Sequence, residues 1–128
     1  MNIRTSLVLA GVFVALLGGC RSAGLYNVSA APVVANKAVS MEDVEKAIVR
    51  AGVALGWQMK PVEPGLVVAT LHLRTHMAMV DIKYDTKTYS ITYKDSTNLD
   101  YNGHDIHKNY NGWIQNLDNG IRSQLTSL

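Results

Sequence analysis

The chain has a single cysteine, Cys20, among 128 residues, so no disulfide can close within it. Charged side chains are sparse, 17% of the total, and leave a formal net charge of only +2. No basic cluster interleaves with aromatics, which removes the footprint expected of a nucleic-acid binder. Proline occurs only at Pro32, Pro61 and Pro64, and each punctuates an extended stretch. The one long apolar run, Leu7 to Leu17, is about a dozen residues, whereas a membrane-spanning helix takes roughly 20. No self-similarity recurs at the lengths that mark solenoids or propellers.

What is present starts at the amino terminus. Arg4 and the terminal amine make a short positive region, Leu7 to Leu17 an apolar one, and Gly18 and Gly19 a small-residue approach to Cys20. That is the three-part order of a secretory signal. A plain signal peptide wants small residues at both specificity positions before the cut, and Leu17 occupies one of them. Leu17-Gly18-Gly19-Cys20 resembles a bacterial lipobox, the recognition site of lipoprotein signal peptidase. The resemblance implies cleavage of residues 1–19, a thioether from Cys20 to diacylglycerol, and acylation of the new amine by a fatty acid such as palmitate. One buried chain, at ~0.8 kcal/mol per CH₂, holds weakly; two or more anchor stably. Arg21 follows the cysteine where Asp would favour inner-membrane retention in enterobacterial lipoproteins. The implied location is therefore the periplasmic face of the outer membrane.

Removing the signal leaves about 109 residues, enough for one domain with one modest core. Residues 20–39 are expected to be the lipidated terminus and a tether, and residues 40–128 a single domain. Two readings of Arg21 to Val39 stand together. One is a flexible spacer; the other contains a short edge strand at Leu25-Tyr26-Asn27-Val28, ended by Pro32.

Ser40-Met41-Glu42-Asp43 resembles a capping box, with Asp43 shorter than the usual Glu or Gln, so only the Ser40 half is expected. Val44, Ala47, Ile48, Ala51 and Leu55 recur at helical spacing, and Gly56 supplies a stop. Trp57 is expected in the core. Trp57 to Val62 reads as a strand that Pro61 places at an edge, with Pro64-Gly65 as its turn. Leu66 to Arg74, Met77 to Tyr84 and Tyr89 to Lys94 each alternate with period two. Pairing Tyr84 with Tyr89 across Asp85-Thr86-Lys87-Thr88 sets Ile82 against Ile91 and Val80 against Tyr93, which puts the apolar sets on one face. Asp95 to Gly103 reads as a polar loop pinned by Leu99 and Tyr101. A last helix is predicted from near His104 or Asp105, with Ile106, Tyr110, Trp113, Ile114, Leu117, Ile121 and Leu125 as its stripe. The expected fold is α+β: an antiparallel meander of about four strands with two helices on one face, in the order α-β-β-β-β-α.

Ala69-Thr70-Leu71, Tyr89-Ser90-Ile91-Thr92-Tyr93, Asp95-Ser96-x-Asn98-Leu99 and Ile106-His107-x-x-Tyr110-Asn111-x-Trp113 resemble the pattern of a family of small proteobacterial lipoproteins of unknown function. The resemblance covers most of the mature chain and implies no activity.

Candidate sites are few. His72 and His76, four apart, lie on a predicted strand and turn, where that spacing spans more than about 10 Å. His104 and His107 straddle a helix start. Neither pair gains a further ligand, so no metal and no cofactor is assigned. Tyr84, Tyr89 and Tyr93 fall on the helix side by parity, which denies them to a sugar on the open face. Ser96, Asp100 and His104 suggest a triad by type, but no nucleophile elbow surrounds Ser96; turn and capping roles are expected, and no catalytic residue is named. The open face by parity carries His72, Arg74, Met77, Met79, Asp81, Lys83, Ser90, Thr92 and Lys94, a mildly basic set with a methionine pair. Such a face is either solvated or a docking surface. The expectation is a non-enzymatic interaction or accessory module, held by membrane lipid through Cys20 and serving an envelope protein partner. The alternative is a binder of a small envelope ligand or glycan.

Overall fold

The computed structural model describes residues 21–128; the lipobox residues Leu17, Gly18, Gly19 and Cys20 lie outside the described residues. The order is β1 (Ser22–Gly24), β2 (Val28–Pro32), α1 (Met41–Ala54), β3 (Gln58–Glu63), β4 (Leu66–Leu73), β5 (His76–Tyr84), β6 (Thr88–Thr97), β7 (Asp105–His107) and α2 (Lys108–Thr126). Five strands form an antiparallel sheet in the order β2-β6-β5-β4-β3, and β1 pairs with β7 in a separate ladder. The class is α+β, with the four-strand meander extended by one strand.

Helix α1 starts as a full capping box. Ser40 Oγ accepts from Asp43 N at 3.1 Å, and Asp43 Oδ2 accepts from Ser40 N at 3.0 Å. The shorter Asp43 side chain therefore does reach back, and both halves form. At the other end Gly56 takes φ +87°. Trp57 N donates to Gly52 O and Gly56 N to Val53 O, the paired bonds of a Schellman stop. That reversal sends Trp57 into the core, where it is 4% exposed.

The meander follows from its turns. Gly65, at φ +89°, follows Pro64 and closes β3 onto β4. Asp85 Oδ1 accepts from Lys87 N at 2.7 Å and from Thr88 N at 2.8 Å and closes β5 onto β6. The register beyond it pairs Tyr84 with Tyr89, Ile82 with Ile91 and Val80 with Tyr93, as the alternation predicts. Val67, Ala69, Ala78, Val80, Ile82, Tyr84, Tyr89 and Ile91 share one core with Val44, Ala47, Ile48 and Ala51 of α1 and with Tyr110, Ile114, Leu117, Ile121 and Leu125 of α2. Both helices therefore cover the same sheet face. They approach closely: a Cβ on Gly120 would lie 3.6 Å from that of Ala51.

Three further expectations are corrected. Residues 21–39 are not a free tether: β1 and β2 lie within it, Pro32 ends β2, and of Leu25 to Val28 only Val28 is in a strand. The polar loop is shorter than predicted, because β6 runs on to Thr97 past a register shift between Val80 and Met79. The last helix starts at Lys108, since Asp105–His107 is drawn into the ladder with Ser22–Gly24. Helical spacing places Ile106 on the stripe, but the long-range pairing, invisible to a local pattern, wins.

Candidate functional site

The second face of the sheet has no helix on it among the described residues. Cross-strand pairing brings Thr70, Met79 and Asp95 into one row, Val68, Asp81 and Thr92 into the next, and Leu66, Lys83 and Ser90 into a third. His72, Met77 and Thr97 make the row at one end. Val68, Met77 and Met79 are half-buried yet stand apart from the core, shielded by their own strands and capped by none of the described residues. Lys83 and Thr92 are exposed.

Lys94 sits at the bulge that offsets Tyr93–Val80 from Asp95–Met79. A bulge lets two consecutive side chains share a side, so Lys94 and Asp95 both stay on the open face. Lys94 Nζ lies 3.4 Å from Asp81 Oδ1, an ion pair at the centre of the face that still leaves this buried oxygen without a hydrogen-bond partner among the described residues. Lys83 is then left as a cation without a salt-bridge partner among the described residues.

Of the predicted residues, His72, Met77, Met79, Lys83, Thr92 and Lys94 come together there. Arg74 does not. Leu73 pairs with His76, which leaves Arg74 in the two-residue turn between β4 and β5 at φ +56°. Alternation carried one residue too far puts it on the strand. Lys60, opposite Val68, joins the face and was missed. The Pro64-Gly65 turn was the signal that sets its register, but the bulge at Val62 obscures the count.

The other candidate groups are occupied locally. His76 Nδ1 lies 2.7 Å from Asn98 O; His104 Nδ1 lies 2.8 Å from Asp105 Oδ1; His107 Nδ1 accepts from Asn109 N at 3.2 Å and so caps α2. Among the described residues no group of three or more His, Asp or Glu is placed to hold a metal ion. Ser96 Oγ is 2.7 Å from Tyr93 Oη, His104 is turned to Asp105, and Asp100 occupies a turn at φ +55°; each serves a different local structure. Tyr93 stacks on Tyr101 with centroids 4.1 Å apart and meets Tyr110 edge-on at 5.8 Å.

One buried polar cluster was not legible in the sequence. The Tyr89 hydroxyl donates to Asp118 Oδ1, and Arg122 Nη2 lies 3.1 Å from Asp118 Oδ2. Asp118 is only 4% exposed, one place beyond the apolar Leu117. Burial, and then the bond to Asp118, push the Tyr89 hydroxyl up to about 12. The cluster ties α2 to β6, with the Asp118 carboxylate paired to Arg122 and bonded by Tyr89. Among the described residues Tyr110 Oη is buried without a hydrogen-bond partner, and burial pushes its pKa up.

No protein-family model, no curated protein and no solved structure matches the chain.

Proposed function

We propose that this protein is a lipid-anchored component of the cell envelope, held on the periplasmic face of the outer membrane, whose domain docks another envelope protein through the open sheet face. The anchor is supported by Leu17-Gly18-Gly19-Cys20 after an apolar run too short to span a bilayer. Among the described residues no helix is long and apolar enough to cross a membrane. The observation that carries the docking role is the uncovered face itself: half-buried Val68, Met77 and Met79 beside exposed Lys60, Lys83 and Thr92. An antiparallel sheet tolerates water on one face, and unbranched methionines adapt to a partner's contour. A protein partner is preferred to a glycan because Tyr84, Tyr89 and Tyr93 point to the helices, leaving the face without a stacking platform. No step of catalysis is assigned to the domain.

Two experiments test this. Cys20→Ala should move the protein from the membrane to the soluble fraction; a variant that stays membrane-bound removes the anchor. A photo-crosslinking amino acid at Thr92 in living cells should give one discrete protein adduct. Its absence from an abundant, correctly localised protein removes the docking role.

A further inference from the structure

We propose that the lipidated protein sits directly on its membrane, with the β1–β7 ladder and the first turn of α2 against the phospholipid headgroups. This rests on the lipid anchor at Cys20 proposed above. The chain is locked from its first described residue. Lys108 N donates to Arg21 O at 3.0 Å, and Leu25 N donates to His104 O at 3.1 Å. Ser22, Ala23 and Gly24 pair with His107, Ile106 and Asp105. Asn111 bridges the next turn of chain: its Nδ2 donates to Gly24 O at 2.9 Å, and its Oδ1 accepts from Tyr26 N at 3.0 Å. Arg21, the residue directly after Cys20 in the sequence, is thus already bonded into the fold.

Distances decide the consequence. Cys20 is two residues from Ser22, a reach of about 7 Å at full extension. The headgroup layer of one leaflet is ~5–8 Å thick, the difference between a bilayer with and without its polar regions. A flexible spacer over residues 21–39 would instead stand the domain off by about 24 Å. The folded end must therefore touch the headgroups.

The surface there suits an anionic membrane. Because the ladder is antiparallel, Arg21 and Lys108 lie at its end nearest Cys20, while Asp105 lies at the far end beside His104. The β4–β5 turn belongs to the same end of the molecule. Asn98 Nδ2 donates to Thr75 Oγ1 at 2.9 Å, and the neighbouring Leu99 O accepts from His107 N at 2.8 Å. That turn adds exposed Leu73 and Arg74. Two acids are close in the chain to this cluster, Asp100 beside Leu99 and Asp105 three residues before Lys108. Half-buried Trp113 lines a shallow groove with Ala23 and Lys108, the amphipathic ring that membrane interfaces favour. The β5–β6 turn lies at the opposite end, the length of β5 away, about 27 Å.

The test uses the full-length lipidated protein in envelope fragments open on both sides, where Cys20 is blocked as a thioether. Asn109→Cys, on the first turn of α2, and Thr86→Cys, in the β5–β6 turn, are each labelled with a polyethylene-glycol maleimide. Asn109→Cys should react several-fold more slowly than Thr86→Cys in membranes, and the two rates should converge in detergent. Equal rates in membranes overturn the proposal. A flexible Gly/Ser spacer of about 20 residues inserted between Cys20 and Arg21 should restore the rate at position 109 without releasing the protein. A rate that stays slow assigns the protection to the fold and overturns the proposal too. Failure of the anchor itself reads out separately: the protein then fractionates as soluble, and both proposals fall.

Discussion

The two sides of β5 are built from alternate residues of one nine-residue strand, and they differ in almost every respect. Ala78, Val80 and Ile82 are fully buried and Tyr84 nearly so. Met77, Met79 and Asp81 are half-buried, and Lys83 is exposed. The inner side is rigid aliphatic and aromatic surface packed against two helices. The outer side is soft apolar surface interrupted by charge. Stability therefore resides on one parity and availability on the other, so substitutions one residue apart should separate the two properties.

The largest break in that contrast comes from Ile82→Ala, which removes buried methyls from the core and should cost about 2–5 kcal/mol in urea unfolding. Lys83→Ala, its neighbour, should stay within about 0.5 kcal/mol of the wild type. Next is Tyr89→Phe, which leaves buried Asp118 one partner short and should cost about 1–3 kcal/mol. The same residue sets an alkaline limit. Its hydroxyl has an ordinary value of 10 and is raised to about 12 in the fold. The folded state thus holds the proton more tightly than the unfolded chain. This contribution is complete below pH 10 and is lost as pH rises to about 12. Unfolding curves across that range should show a shallower decline in Tyr89→Phe.

Smaller effects sharpen the comparison. Ser40→Ala removes half of the capping box and should cost about 1 kcal/mol. The Asp43 carboxyl is held below its usual 3.8, first by the backbone N–H of Ser40 and then by its hydroxyl. Its contribution is present above that value and is lost as pH falls through the lowered one. Asp43→Asn should blunt this acid-side loss in a thermal melt taken through the same range. Met79→Ala, on the open face, should cost less than about 1 kcal/mol while reducing the cross-link yield at Thr92. A Met79→Ala variant as unstable as Ile82→Ala would erase the distinction between the faces.

Local pattern made the meander legible. Period two in β4, β5 and β6, with one polar turn, suffices to set Tyr84 against Tyr89 and all that follows. The capped helix was legible for the same reason, since Ser40 and Gly56 act within a few residues of themselves. What pattern missed is non-local. Ser22–Gly24 finds its partner in Asp105–His107 far along the chain, and the three residues on either side are too few to carry a period. That pairing displaced the start of α2 and, together with the β2–β6 pairing, drew into the fold a stretch that local pattern left open between a spacer and an edge strand. The bulge at Lys94 was missed because an extra residue leaves no compositional mark. The open face survived it, since Lys94 reaches Asp81 on the expected side, whereas Arg74 fell off the face at the turn.

The docking role of the open face is tested most directly by methionine footprinting, performed on the purified protein and again in the intact envelope. Thioether oxidation follows exposure, and Met77 and Met79 report the open face while half-buried Met59, packed over Gly52 on the core side, is the internal control. The expected result is that Met77 and Met79 are protected in the envelope relative to the purified protein and Met59 is unchanged. Equal oxidation of Met77 and Met79 in both settings would mean that nothing covers this face in the cell, and would contradict the role assigned to it.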